Sequence, residues 1–296
     1  MGLHEEAMLI NLSFSFRGGR KTDKGLTEET ARSKGANPDD FNTIKKFIKH
    51  PLLDKAQSIM TQMRKIVYDN TFPWKGLGCY ILARKNYFDL VCLLQEKQQE
   101  FWETIEKLCC LYEESWKAFS ANDLDNASFF VETKSRLADT FRWTDYPPSI
   151  RSFFDCRYSV AGVPKGCDFV VDLGNKDEEK KVKLELDSSF KDAVKDGMES
   201  LRGDILETIS SLKDRISDPE KRLYQKTFDA VVRMANLSKR MNVEGDEDLE
   251  EICDDIIEAA SNAKPKVIRV DPEARETEAD KVQKIVDKMK DYMGVV

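Results

Sequence analysis

Histidine is nearly missing from this chain of 296 residues: there are two, His4 and His50. Ser-His-Asp and Cys-His arrangements and a His-rich metal site therefore have nothing to be built from. The seven cysteines, Cys79, Cys92, Cys109, Cys110, Cys156, Cys167 and Cys253, are an odd set with no Cys-x-x-Cys pair. Most fall within apolar helical or strand patterns, which predicts reduced, buried thiols in a reducing compartment. No apolar run approaches the ~20 residues of a membrane span. His4, Glu5 and Glu6 stand where a secretory signal would be basic and then apolar. Met1-Gly2 opens like a myristoylation motif, but Glu6 occupies the position that needs Ser or Thr. The expectation is a soluble, cytoplasmic protein.

What is present points to long helices. Hydrophobic residues make up 41% and charged residues 34%, with a mean hydropathy of -0.54. That is enough to bury a core, and it favours solvated helices over a compact α/β enzyme. The net charge of -7 argues against general nucleic-acid binding. Its distribution is uneven: residues 1–80 hold thirteen Lys+Arg against nine Asp+Glu, so an anionic partner would meet the N-terminal part.

Tyr87, Val91, Leu94, Phe101, Ile105, Leu108, Tyr112 and Phe119 alternate steps of four and three, with Gln98 and Ser115 as polar entries in the register. This is a heptad seam and predicts one long helix. Phe88, Trp102, Cys109 and Trp116 form a second stripe beside it, so the apolar face needs more than one partner. Helical spacing from Asp39 to Tyr68, broken or kinked at Pro51, predicts an antiparallel hairpin of 54–69 against 84–119. Phe72 and Trp74 lie in the intervening turn, available to plug into a core.

Leu12, Phe14 and Phe16 alternate with Asn11, Ser13 and Ser15, which predicts a half-buried strand over Met8–Phe16. A second change of period predicts a small antiparallel meander from 157–160, 168–173 and 182–186. Helix then returns with Phe190, Val194, Met198, Leu201, Ile205, Ile209, Leu212 and Ile216. Asp218-Pro219, Gly245-Asp246 and Asp271-Pro272 read as starts of further helices, and Lys266–Val270 as a short edge strand. The fold class is mainly α: a long antiparallel helical hairpin or bundle with a small β-meander. The expected division is 1–155, an N-terminal strand and helical hairpin; 156–187, the meander; and 188–296, a C-terminal helical region.

Two sets of residues are candidates for binding. Gln98 in the seam, with Trp102 and Trp116, is a candidate partner-binding face, since a polar residue at a core register can fix register or oligomeric state; a Gln at the seam's edge is the equal alternative. Arg17, Arg20 and Lys21, in a turn rich in backbone amides, join Lys45, Lys46 and Lys49 as a candidate anion or nucleic-acid face. That turn lacks the spacing of a phosphate-binding loop. The carboxylates of 246–251, 254–255 and 177–179 match no calcium loop and read as solvated faces. No catalytic residue, metal or cofactor is expected.

The order of the strand with Gly19-Arg20-Lys21, the aromatic turn Phe72 to Gly78, the long aromatic helix and the string Pro148-Ser149-Ile150-Arg151-Ser152-Phe153-Phe154 resembles a domain-of-unknown-function family of phage and bacterial proteins. Members are often encoded beside a MoxR-type AAA+ ATPase and a cobaltochelatase-like protein with a von Willebrand A domain. The resemblance implies a non-enzymatic component that works with an AAA+ ATPase, in a phage or mobile element, and it carries over no site residues. The expected function is an interaction protein acting through long helical faces, on a protein partner or a second copy of itself. The alternative is a phage DNA-metabolism or counter-defence factor that binds nucleic acid through the basic face.

Overall fold

Alternation of side chains sets the short sheet, and three-to-four spacing sets almost everything else. The structure, a computed structural model, describes residues 3–17, 19–75, 77–168 and 174–294. It is 69% helical and mainly α, with nine α-helices and a small antiparallel sheet among the described residues. In chain order the elements are β1 (Ala7–Phe16), β2 (Arg20–Thr22), α1 (Lys24–Ser33), β3 (Ile44–Lys46), α2 (Pro51–Asp69), β4 (Phe72–Trp74) and β5 (Cys79–Ala83). There follow α3 (Tyr87–Ser120), α4 (Ser128–Leu137), β6 (Phe154–Gly162), α5 (Lys176–Ser217), α6 (Gln225–Met241), α7 (Glu247–Asn262), α8 (Pro265–Val270) and α9 (Pro272–Met293). No helix among the described residues is long and apolar enough to cross a membrane.

The chain packs as two compact units, each discontinuous in sequence: Met1–Asn11, Val67–Val91 and Ser159–Val296 form unit 1, and Leu12–Ile66 with Cys92–Tyr158 form unit 2. The dividing points fall inside β1, α2, α3 and β6. The four-stranded sheet runs β4-β5-β1-β6, and β2 pairs with β3 as a separate ribbon.

In unit 1 the long helix α5 is the spine. Its buried residues Phe190, Val194, Met198, Leu201, Ile205, Ile209, Leu212 and Ile216 are the stripe read from the sequence. At roughly 1.5–3 kcal/mol for each fully buried side chain, this stripe is a large share of the unit's hydrophobic stabilisation. Helices α9 and α6 pack on it, and α7 packs on α6 and α9. Caps fix the joints: Asp246 accepts from the Leu249 amide at the start of α7, and Asp271 accepts from Glu273 and Ala274 at the start of α9.

In unit 2 the α3 seam is buried at Leu94, Phe101, Ile105, Leu108 and Tyr112. It meets an aromatic cluster of Phe129, Phe130, Phe141, Trp143 and Tyr146, with ring centroids 5.1–6.3 Å apart. Helix α2 lies near enough for Lys55 to pair with Glu100 at 3.2 Å.

Several local expectations are corrected. Residues 182–186, expected as a strand, are the second and third turns of α5, because Val182 and Leu186 extend the four-residue spacing of Phe190 and Val194 and Asn175 caps the helix, accepting from Asp177 and Glu178. The meander segment 169–173 lies outside the described residues. Lys266–Val270 is helix α8, with Pro265 in the first turn where its missing N–H is harmless. Residues 44–46 form a strand paired to 20–22, so helix begins only at Pro51. Asp218-Pro219 ends α5, and α6 starts later, at Gln225, after Leu223 has been buried as an anchor.

Candidate partner-docking groove

Each residue of the expected partner-binding face is occupied inside unit 2. The Gln98 side-chain amide donates to the Cys156 carbonyl of β6 at 2.8 Å. The guanidinium of Arg151 lies 5.4 Å from the Trp102 ring centroid. Trp116 donates its indole N–H to the Tyr146 carbonyl at 3.1 Å and stacks on Trp143 at 5.5 Å. These contacts hold the seam to its own neighbours.

The basic face is divided by its own hairpin. In the β2–β3 register Arg20 faces Lys46 and Lys21 faces Lys45. Lys45 is buried, at 5% exposure, and is no part of an exposed patch: its ammonium contacts Asp145 at 2.7 Å, Asp23 at 3.4 Å and the Thr140 carbonyl at 2.9 Å. Lys21 also pairs with Asp145, at 2.7 Å. The Leu26 amide, with Lys45, holds the Asp23 carboxyl below its usual range against burial, and at Asp145 burial is outweighed by the hydrogen bonds of Lys21 and Lys45, so that carboxyl is lowered as well. Arg17, Arg20, Lys46 and Lys49 are exposed, with the Arg17 guanidinium 5.3 Å from the Phe153 ring centroid.

Unit 1 contains a groove that no expectation named. One wall is β4 and the residues just before it. Strand alternation buries Phe72 and Trp74 and leaves Pro73 exposed between them. Pro73 is tolerated because β4 is an edge strand, paired only with β5. The opposite wall is the face of α5 from Ser189 to Asp204, and Met234, Leu237 and Met241 of α6 close the floor. The groove encloses about 700 Å³. A side chain at Gly197 would put its Cβ 2.4 Å from Cγ of Phe72, so only glycine lets β4 lie this close to α5.

The floor is apolar and the rim acidic. Asp69, Asp192, Asp196 and Asp204 line it, with Lys75 the one cation. None of the four carboxylates has an ion-pair partner among the described residues, and Asp192 accepts only from the Ser188 hydroxyl, at 3.4 Å. Partial burial, reinforced by Glu207, raises the Asp204 carboxyl above its usual range. The Trp74 indole N–H, on a ring 1% exposed, has no acceptor among the described residues. The signal for this site was in the sequence: Ser189, Asp192, Ala193, Asp196, Gly197, Ser200, Leu201 and Asp204 recur at steps of three and one, a helix face of small and acidic residues.

Of the five carboxylates at 246–251, Asp246, Glu250 and Glu251 are engaged within the unit, Glu251 with Lys288 at 2.7 Å, while Glu247 and Asp248 are exposed. Asp246 accepts from Arg202 at 3.0 Å and from the Tyr292 hydroxyl, and Arg202 also reaches Glu244 at 3.1 Å. Glu250 takes Lys85 at 2.7 Å. No group of three His, Cys, Asp or Glu among the described residues is placed to hold a metal. No family model, no curated protein and no solved structure matches this chain.

Proposed function

We propose that the chain is a non-enzymatic interaction protein and that its docking face is the groove of unit 1. The observation behind this is an apolar floor of Met234, Leu237 and Met241 under a rim of carboxylates that have no ion-pair partner among the described residues, a combination suited to binding a surface and not to transforming a molecule. On this reading the α3 seam, which we read as one arm of an antiparallel hairpin with α2, is scaffold, since Gln98, Trp102 and Trp116 are engaged internally. The resemblance to phage and bacterial proteins encoded beside a MoxR-type ATPase makes such an ATPase the first partner to test. The cytoplasm is the compartment this reading requires.

The experiment is co-purification of that ATPase with the wild-type chain and with Asp192→Lys/Asp196→Lys, followed by light scattering. A complex whose mass exceeds either component, weakened in the variant, is expected. A chain that stays a monomer in the presence of the ATPase removes that partner, and one that also binds none of the helical peptides described below contradicts the reading.

Nucleic-acid binding is a second reading, favoured by one observation: Arg20 and Lys46 are exposed and stand directly opposite in an antiparallel pair, where like charges repel unless an anion lies between them. It requires retention on DNA that falls steeply with salt and is lost in Arg20→Glu/Lys46→Glu. Absence of retention at low salt ends it.

A further inference from the structure

We infer that the occupant of the unit 1 groove is a basic amphipathic helix of a protein partner, with Lys or Arg flanking apolar anchors; this rests on the interaction reading above and names its ligand class. Three observations lead there. The groove follows α5 from Ser189 to Asp204, about 22 Å at ~1.5 Å per residue, the span of a four-turn helix and longer than a small ligand needs. Its floor is made by Leu237 and by the unbranched Met234 and Met241, which adapt to different anchor side chains as helix-receiving grooves do. Its rim carries four aspartates without ionic partners among the described residues, within a unit that holds 36 Asp+Glu against 27 Lys+Arg. Such a field attracts and orients a cationic segment and repels an anionic one.

The test is fluorescence anisotropy with three labelled 18-residue helical peptides: one with Leu on one face and Lys on the other, the same peptide with Leu replaced by Ala, and a Leu/Glu version. Wild-type chain should bind the Leu/Lys peptide at least tenfold more tightly than either of the others, with affinity falling as salt rises. Asp192→Lys/Asp196→Lys, at exposed positions, should weaken binding tenfold or more, as should Ser200→Arg, which fills the groove; unchanged circular dichroism of both variants shows that folding is intact. Equal binding of the Leu and Ala peptides means bare charge attraction and overturns the inference. So does binding unaffected by both variants, or self-association of the chain that both variants abolish, which assigns the groove to a second copy. Failure of every peptide while the ATPase complex forms sinks this inference and leaves the interaction reading standing; peptide binding without any ATPase complex sinks that choice of partner alone.

Discussion

Gly197 and Gly203 lie on the same helix and make opposite predictions. A Cβ at 197 meets the Phe72 ring at 2.4 Å, whereas one at 203 meets nothing within 4 Å. Gly197→Ala should lose about 1–3 kcal/mol through overpacking, and Gly203→Ala should gain up to ~1 kcal/mol through helix propensity. Calorimetry should therefore show the thermal midpoint falling for the first and holding or rising for the second; a neutral Gly197→Ala would mean that Phe72 does not lie against α5. Lys45 offers a second test. Asp145→Ala leaves the buried ammonium with only Asp23, at 3.4 Å, and the Thr140 carbonyl among its described partners, and removing one member of such a buried pair costs about 3–5 kcal/mol. Because the Asp23 and Asp145 carboxyls are held below their ordinary range, their contribution is complete above the unfolded pKa near ~3.9 and is lost as pH falls through the lower folded values. Urea midpoints of the wild type should drop below about pH 4, and Asp145→Asn should flatten that drop.

At the scale of elements, what could be read in advance followed periodicity. The α5 and α3 stripes and the caps at Asp246 and Asp271 were legible because burial of one helix face and capping chemistry are local. Val182–Leu186 was misread since five residues fit both periods, and the decision came from the continuation into Phe190 and Val194. The 44–46 strand was hidden for the converse reason: its partner, 20–22, lies more than twenty residues away, and pairing across that distance leaves no local trace. The groove belongs to the same class, since β4, α5 and α6 meet only in three dimensions. Helix and strand faces also sort the cysteines, and here the expectation of buried thiols holds only for some. Cys109, Cys156 and Cys253 are buried, and burial pushes their thiols up to about 11, 11 and 12, while Cys92, Cys110 and Cys167 are exposed. Ellman's reagent on the native protein should titrate the exposed three rapidly and the buried three only after denaturant; seven fast thiols would contradict the burial of Cys109, Cys156 and Cys253.

For the whole molecule, the division of labour follows charge and packing. Unit 2 carries 20 Lys+Arg and 18 Asp+Glu and commits its tryptophans and buried lysine to internal contacts. Unit 1 holds the acidic excess and the open groove. Hydrogen–deuterium exchange of the full chain with and without the Leu/Lys peptide puts this most directly to the test. The account predicts added protection confined to residues 68–75, 189–204 and 234–241. Protection confined to the basic hairpin at 17–49, or spread along α3 with none in the groove segments, would contradict it.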